Sequence, residues 1–342
     1  MIRTYTRLRP LILYAALALV LAGCSSGSGT AGQAATPDRS DTGGTSAAAA
    51  EVASEGSDSV LPVSTGSATQ EAPLLEDPGF RPVPGFSTDF SRATVPSDDI
   101  ISGGPPKDGI PAVDEPEFIS QDEANEWLGS DEPVFVVSAD GETKIYPIQI
   151  LTYHEIVNDV VGETPVTVTY CPLCNSGLAF LREFDGRVLD FGTTGRLRLS
   201  NLVMYDRQTE SWWQQATGEG LVGRYAGYRL DLYPMLMLPW DRAIERYPEA
   251  QVLSRETGYS RPYGNNPYSG YDTSERPFLY SGPRTRGPFT AMDRVLSVVR
   301  GGESAAFGYP DLAEQRVMQR EVGGDPIVVM WEEGTTSALD SR

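Results

Sequence analysis

Two thiols and one imidazole lie within 21 residues of each other in a chain of 342. Cys171 and Cys174 form a Cys-x-x-Cys pair in Tyr170-Cys171-Pro172-Leu173-Cys174, and His154 is the one histidine. Three chemistries fit. The leading expectation is a thiophilic-metal site, copper before zinc, with Cys171 and Cys174 as thiolates, His154 as third ligand and one coordination position open. Met204 is a candidate weak fourth ligand, although a core role suits it too. The same thiols can cycle with a disulfide, but no thioredoxin-like βαβ pattern surrounds them. A structural disulfide is the third reading, though so small a ring removes little unfolded-state entropy. A Cys-His nucleophile is a fourth. No nucleotide cofactor is indicated.

The elements that must position these groups are a helix and a strand. A helix is expected from Pro147 to about Asp159. It places Ile150, His154, Val157 and Val161 on one face, with Asn158 four residues past His154 to orient the ring. Pro165 to Tyr170 alternates, with Val166, Val168 and Tyr170 on one face and Thr167, Thr169 and Cys171 on the other. Cys171 therefore ends a strand, and Asn175-Ser176-Gly177 turns into the next.

Elsewhere Ser120 and Glu123 have capping-box spacing, and a second helix is expected from Pro239 to Tyr247, stopped by Pro248. Short β-branched or aromatic runs separated by Asp140-Gly141 and Asp185-Gly186 predict a β-rich α+β fold. The chain also repeats. Gly141-Glu142, Val161-Gly162, Pro165 to Tyr170 and Leu178 recur as Gly302-Glu303, Val322-Gly323, Pro326 to Trp331 and Leu339, always 161 residues later. Two related lobes from an internal duplication are expected. The second has Glu332, Thr335 and Gln315 where the first has Cys171, Cys174 and His154, and is expected to be incomplete.

The third cysteine, Cys24, closes an export signal. Arg3, Arg7 and Arg9 precede the apolar run Leu11 to Leu21, and Leu21-Ala22-Gly23-Cys24 reads as a lipobox. Lipidation of Cys24 would anchor the protein to a membrane outside the cytoplasm, in the cell envelope. Ser25 to Ala72 holds 33 Gly, Ala, Ser or Thr in 48 residues and no aromatic residue, so it is a disordered tether with a reach of roughly 40 Å. The formal charge is −20, or −23 once three arginines leave with the signal (24 basic minus 47 acidic). That excludes nucleic acid as a partner. The expected plan is a signal over 1–24, the tether over 25–85, and an extended arm with a capped helix over 86–132. The thiol-bearing lobe follows over 133–292 and the start of a second lobe over 293–342.

Several motifs carry a family resemblance. His154-Glu-Ile-Val-Asn-Asp159, Val166 to Cys174, Asn201-Leu-Val-Met-Tyr-Asp-Arg207 and Ser211-Trp212 resemble domain of unknown function 3179. Thr88-Asp-Phe-Ser91, Ser102 to Pro111 and Thr257-Gly-Tyr259 fit the same family over about Phe86 to Arg342. The resemblance implies kinship with exported or membrane-anchored prokaryotic proteins, which are longer at the C-terminus, and assigns no reaction. These motifs add Asn158, Asn201, Tyr205, Asp206, Arg207 and Trp212 as candidate pocket residues, with Lys107 and Asp108 in a Gly/Pro loop that could cover the site. Tyr259 to Tyr271 reads as an ordered, aromatic-rich surface loop.

Overall fold

The computed structural model describes residues 70–280, 282–283, 287–331, 333–334 and 336–339. The chain divides between residues 63 and 64, and every described residue belongs to the second unit. The signal, Cys24 and most of the tether lie outside the described residues. Among the described residues no helix is long and apolar enough to cross a membrane.

The arm runs extended, as its Pro and Gly content requires, through the short strands β1 (Ile100–Ser102) and β2 (Phe118–Ile119). Helix α1 (Gln121–Ala124) starts at the expected capping box, with Ser120 and Glu123 satisfying each other's backbone N–H. Strands β3 (Pro133–Ala139) and β4 (Glu142–Pro147) form a hairpin. Asp140 and Gly141 both take positive φ at its turn, the geometry that matches strand twist.

Helix α2 (Ile148–His154) is shorter than the sequence suggested. It stops at Glu155, which is left-handed at φ 60°, and the chain continues as strand β5 (Ile156–Val161). Val157, Asn158 and Val161 are therefore strand residues and do not share a helix face with His154. The run is β-branched from Ile156 onward, and pairing with strand β6 (Thr164–Cys171) overrides its helical spacing.

A 3₁₀ turn at Pro172–Cys174 leads into β7 (Ser176–Leu181). The small ribbon of β8 (Glu183–Phe184) and β9 (Arg187–Val188) follows, then β10 (Phe191–Arg198), β11 (Asn201–Asp206), β12 (Trp212–Gln214) and β13 (Gly220–Val222). After β14 (Leu232–Tyr233) and β15 (Leu236–Pro239) comes helix α3 (Trp240–Arg246), between Pro239 and Tyr247 as expected, and then β16 (Gln251–Leu253).

These strands form three main sheets, ordered β15-β3-β4-β16-β2, β14-β7-β6-β5 and β1-β10-β11-β12-β13. The middle sheet is buried on both faces. Val166, Val168 and Tyr170 pack with Phe135, Tyr146 and Leu151 on one side. Cys171, Ile156 and Phe180 pack with Phe191, Leu202, Met204 and Trp213 on the other. The predicted alternation of β6 thus decides which core Cys171 joins. Met204 is fully buried there, which is the core role.

Beyond a long irregular segment lie β17 (Val295–Arg300), β18 (Glu303–Gly308), helix α4 (Tyr309–Gln315), β19 (Val317–Val322) and β20 (Asp325–Met330). Their order matches β3-β4-α2-β5-β6. The bounds of α4 are those of α2 displaced by 161 (309 − 148 and 315 − 154). Arg316, after α4, is also left-handed at φ 62°. The molecule is a β-rich α+β protein with few helices.

Candidate functional site

Cys171 is the last residue of β6, and its thiol is buried in the layer between two sheets. Pro172, lacking an N–H, opens the 3₁₀ turn. In that turn residues three apart eclipse each other, which brings Cys174 over Cys171. Asn175, left-handed at φ 45°, ends the turn, and Tyr170 fixes it by donating its hydroxyl to Asn175 Oδ1 at 2.7 Å. Both cysteines are free thiols, one buried and one exposed.

The two sulfurs differ sharply. The Cys171 thiol donates to Cys174, which lowers the Cys174 pKa to about 7 against the opposing effect of its crowded surroundings, with further help from Ser176 and Asn201. Ser176 Oγ and Asn201 Nδ2 each lie 3.0 Å from Cys174 Sγ. Asn201 cannot turn its oxygen to the sulfur, because Oδ1 already accepts from Gln214 at 2.5 Å and from the Ala216 N–H at 3.0 Å. Gln215 braces the same side chain at 2.8 Å and reaches Thr169 on β6. Cys171 goes the other way. Burial, and then its proton's engagement with Cys174, push its pKa well up, against a Leu202 N–H that points at it.

Sequence reasoning missed Glu155. Its left-handed backbone turns it out of α2, and its carbonyl accepts the Tyr170 N–H at 2.8 Å, beside the thiol strand. Glu155 is 7% exposed. Burial, and then the nearby Cys174 charge, raise its carboxyl to about 8, so at neutral pH it is mostly protonated. The available signal was an acid between His154 and the apolar, β-branched pair Ile156-Val157.

His154 is fully buried and has other partners. Nδ1 is 2.8 Å from the Pro111 carbonyl oxygen, so Nδ1 carries the proton. Nε2 then accepts from the Tyr263 hydroxyl at 2.5 Å. Burial pushes its pKa down, which keeps the ring neutral. With both nitrogens engaged, the ring has no lone pair free for a metal. Among the described residues no group of three His, Cys, Asp or Glu is placed to hold one. The three-ligand set of Cys171, Cys174 and His154 is therefore not assembled in this arrangement, because Tyr263, brought in by the loop after β16, occupies Nε2.

Of the other candidates, only Asn201 reaches the sulfurs. Asn158 bonds Asp114 and both backbone groups of Phe191, tying β5 to β10. At the far end of β11, about 13 Å along the strand, lies a separate cluster. There Lys107 bonds Glu210 at 2.5 Å and sits 4.6 Å from the Phe86 and Tyr205 ring centres. Tyr205 donates to Asp108 at 2.6 Å, and Arg207 spans Asp108 and Asp114. Asp206 holds the Trp213 indole N–H at 2.9 Å. Trp212 packs edge-on against Phe80, Phe86 and Phe90. These groups clamp the arm onto its sheet; Lys107 and Asp108 do not cover the thiols.

A free, asymmetric thiol pair at a strand end in a three-sheet β-rich domain defines a candidate thiol centre. The chain belongs to the family described as protein of unknown function DUF3179, whose profile matches residues 107–342. No curated protein and no solved structure matches the chain.

Proposed function

We propose that Cys171 and Cys174 are a thiol–disulfide exchange pair with Cys174 as the attacking sulfur. One observation carries this reading: an exposed sulfur with three donors stands on a buried sulfur held as thiol. The Cys174 thiolate attacks a disulfide R–S–S–R′, one S–S bond breaks, and R′S⁻ leaves and takes a proton. Cys171 then loses its proton and attacks the Cys174 sulfur, releasing RS⁻. The pair ends as a disulfide, and the substrate gains two electrons and two protons. Glu155, neutral and close to Cys174, is the acid on hand for the leaving thiolate.

The test is trapping. The reduced Cys171→Ser protein should accumulate a mixed disulfide on Cys174 with a small aromatic disulfide, and Cys174→Ser should not react. A Cys174 that forms no mixed disulfide, or an equally reactive Cys174→Ser protein, overturns the assignment.

A soft-metal reading is favoured by the adjacency of two free sulfurs. It keeps Cys171 and Cys174 as ligands for copper(I) and needs the buried thiol to ionise. Titrating the reduced protein with copper(I) against a chelator tests it.

We also propose that Cys24 is a lipidated anchor outside the cytoplasm, where a thiol pair meets disulfides; Cys24→Ser should release the protein from membranes. The matching element order and the repeated left-handed residue support descent of both β-β-α-β-β units from one ancestor.

A further inference from the structure

We propose that the cavity faced by Glu155 is a binding site for an uncharged, flat carbonyl compound of one or two rings. Its walls are Leu173, Leu197, Leu202, Tyr268, Tyr271 and Phe278, and it measures about 260 Å³. Pockets for drug-sized ligands start near ~300 Å³, so this one holds a fragment.

Glu155 is the reason to expect a ligand. Its side chain is nearly buried, lines this cavity and bonds no described residue, and its carboxyl is not among the fully buried unpaired groups, so what fills the cavity is what reaches it. Buried polar groups are almost always paired, because leaving one unpaired forfeits its hydration with nothing in return. Burial keeps the carboxyl protonated at neutral pH. A neutral carboxyl in an apolar, aromatic cavity donates one O–H and needs an acceptor. A carbonyl oxygen on a flat ring supplies it, and Tyr268, Tyr271 and Phe278 match the ring. An anion would repel the carboxyl's lone pairs and lose its own hydration.

The cavity adjoins the thiols. Leu173, between the two cysteines, is one wall, and its carbonyl is held by the Tyr271 hydroxyl at 2.8 Å. The ionisable groups around Glu155 are the Cys171 and Cys174 thiols and the Tyr268 phenol, with the Tyr170 phenol beside the thiols; Arg196 is also at the cavity, but its guanidinium lies over the Trp212 ring. Both phenols are pushed up and stay neutral throughout the range that matters, and Arg196 stays charged. The sulfurs are removed for the test, which also separates this site from the exchange reading.

The full chain carrying Cys171→Ser and Cys174→Ser is titrated with 1-tetralone, with tetralin, which has the same shape without the carbonyl, and with 1-naphthoate. Binding is followed by isothermal calorimetry. Tetralone should bind about tenfold tighter than tetralin near pH 6.5, the worth of one hydrogen bond. The advantage should vanish as pH rises and Glu155 ionises, at or below about pH 8, since burial still raises the carboxyl while the Cys174 charge that helps raise it is gone. Glu155→Gln should keep a carbonyl preference with no pH break, and Glu155→Leu should erase it. Equal binding of tetralone and tetralin, a pH-independent preference in the Glu155 protein, tighter binding of naphthoate, or no ring binding at all overturns the proposal. The last result would leave the cavity to a side chain of a polypeptide.

Discussion

Ser176→Ala should shift the Cys174 titration upward and change exchange rates in opposite directions at low and high pH. The Ser176 hydroxyl lies 3.0 Å from the sulfur and donates to it when the sulfur is ionised. A hydrogen bond to a charged group contributes about 1.5–3 kcal/mol, and the lower end applies at a site open to solvent. One pKa unit corresponds to about 1.4 kcal/mol, so Cys174 should rise from about 7 to roughly 8. At pH 7 the thiolate fraction falls from about one half to about one tenth. The more basic thiolate is intrinsically about threefold more nucleophilic, given a Brønsted slope of about 0.4–0.5. The net change is a rate about twofold lower near pH 7, equality near pH 7.6, and a rate more than twofold higher near pH 9. The assay is stopped-flow reaction of reduced protein with a small aromatic disulfide across pH, read by the absorbance of the released thiol. Cys171, being buried, stays silent in the first phase. Superimposed profiles, or a native protein that titrates like a free thiol, would refute the claim that these donors hold Cys174 as a thiolate.

Three further substitutions probe the surroundings. Glu155 has a folded pKa raised to about 8 from an unfolded value near 4.5. Its proton therefore favours the fold fully below about 4.5, and that contribution is lost as pH rises towards 8. Glu155→Gln should flatten this decline in urea unfolding, with a gain at pH 8 of at most about 5 kcal/mol and none at pH 4; an unchanged pH dependence would contradict the burial of the carboxyl. His154→Gln should lower the melting temperature, since it breaks the Pro111–His154–Tyr263 link, and should leave the Cys174 profile in place; a shifted profile would return the imidazole to the thiol site. Gly177→Ala puts a Cβ 2.0 Å from Phe135 Cζ, so it should cost about 1–3 kcal/mol or more and slow thiol exchange by moving the turn; a variant with native stability would show that Phe135 yields.

What could be read from the chain was local. Ser120 and Glu123, the Asp-Gly turns, Pro239 before α3 and the alternation along β6 each depend on a few neighbouring residues, and each stands where the pattern put it. The break after His154 was not legible, because Ile148 to Val161 satisfies a helical stripe as well as a strand, and the left-handed residue that decides it is a glutamate rather than a glycine. The separation of His154 from the thiols was hidden for a different reason. Its partner Tyr263 lies 109 residues away, and nothing in either segment encodes that meeting. Asn201 was visible as a motif residue, but its aim at Cys174 depends on Gln214, Gln215 and the backbone of Ala216.

The inequality of the two sulfurs follows from how β6 ends. Cys171 is still in the ladder, paired with Ser176, so its side chain obeys the alternation of the sheet and goes inward beside Thr169. Cys174 has left the ladder, and the 3₁₀ turn returns it above Cys171 while Asn175 reverses the chain. The spacing therefore gives one thiol to the core and one to the surface, and then lets the buried proton stabilise the exposed charge. One of the donors that tune Cys174 comes from the neighbouring sheet, Asn201 at the start of β11. If the pair exchanges with disulfides as proposed, one that approaches this surface meets Cys174 first, and buried Cys171 would act after the Cys174 sulfur is bonded. On the proposed exchange reading, the order of attack would be set by strand geometry, ahead of any preference a substrate brings.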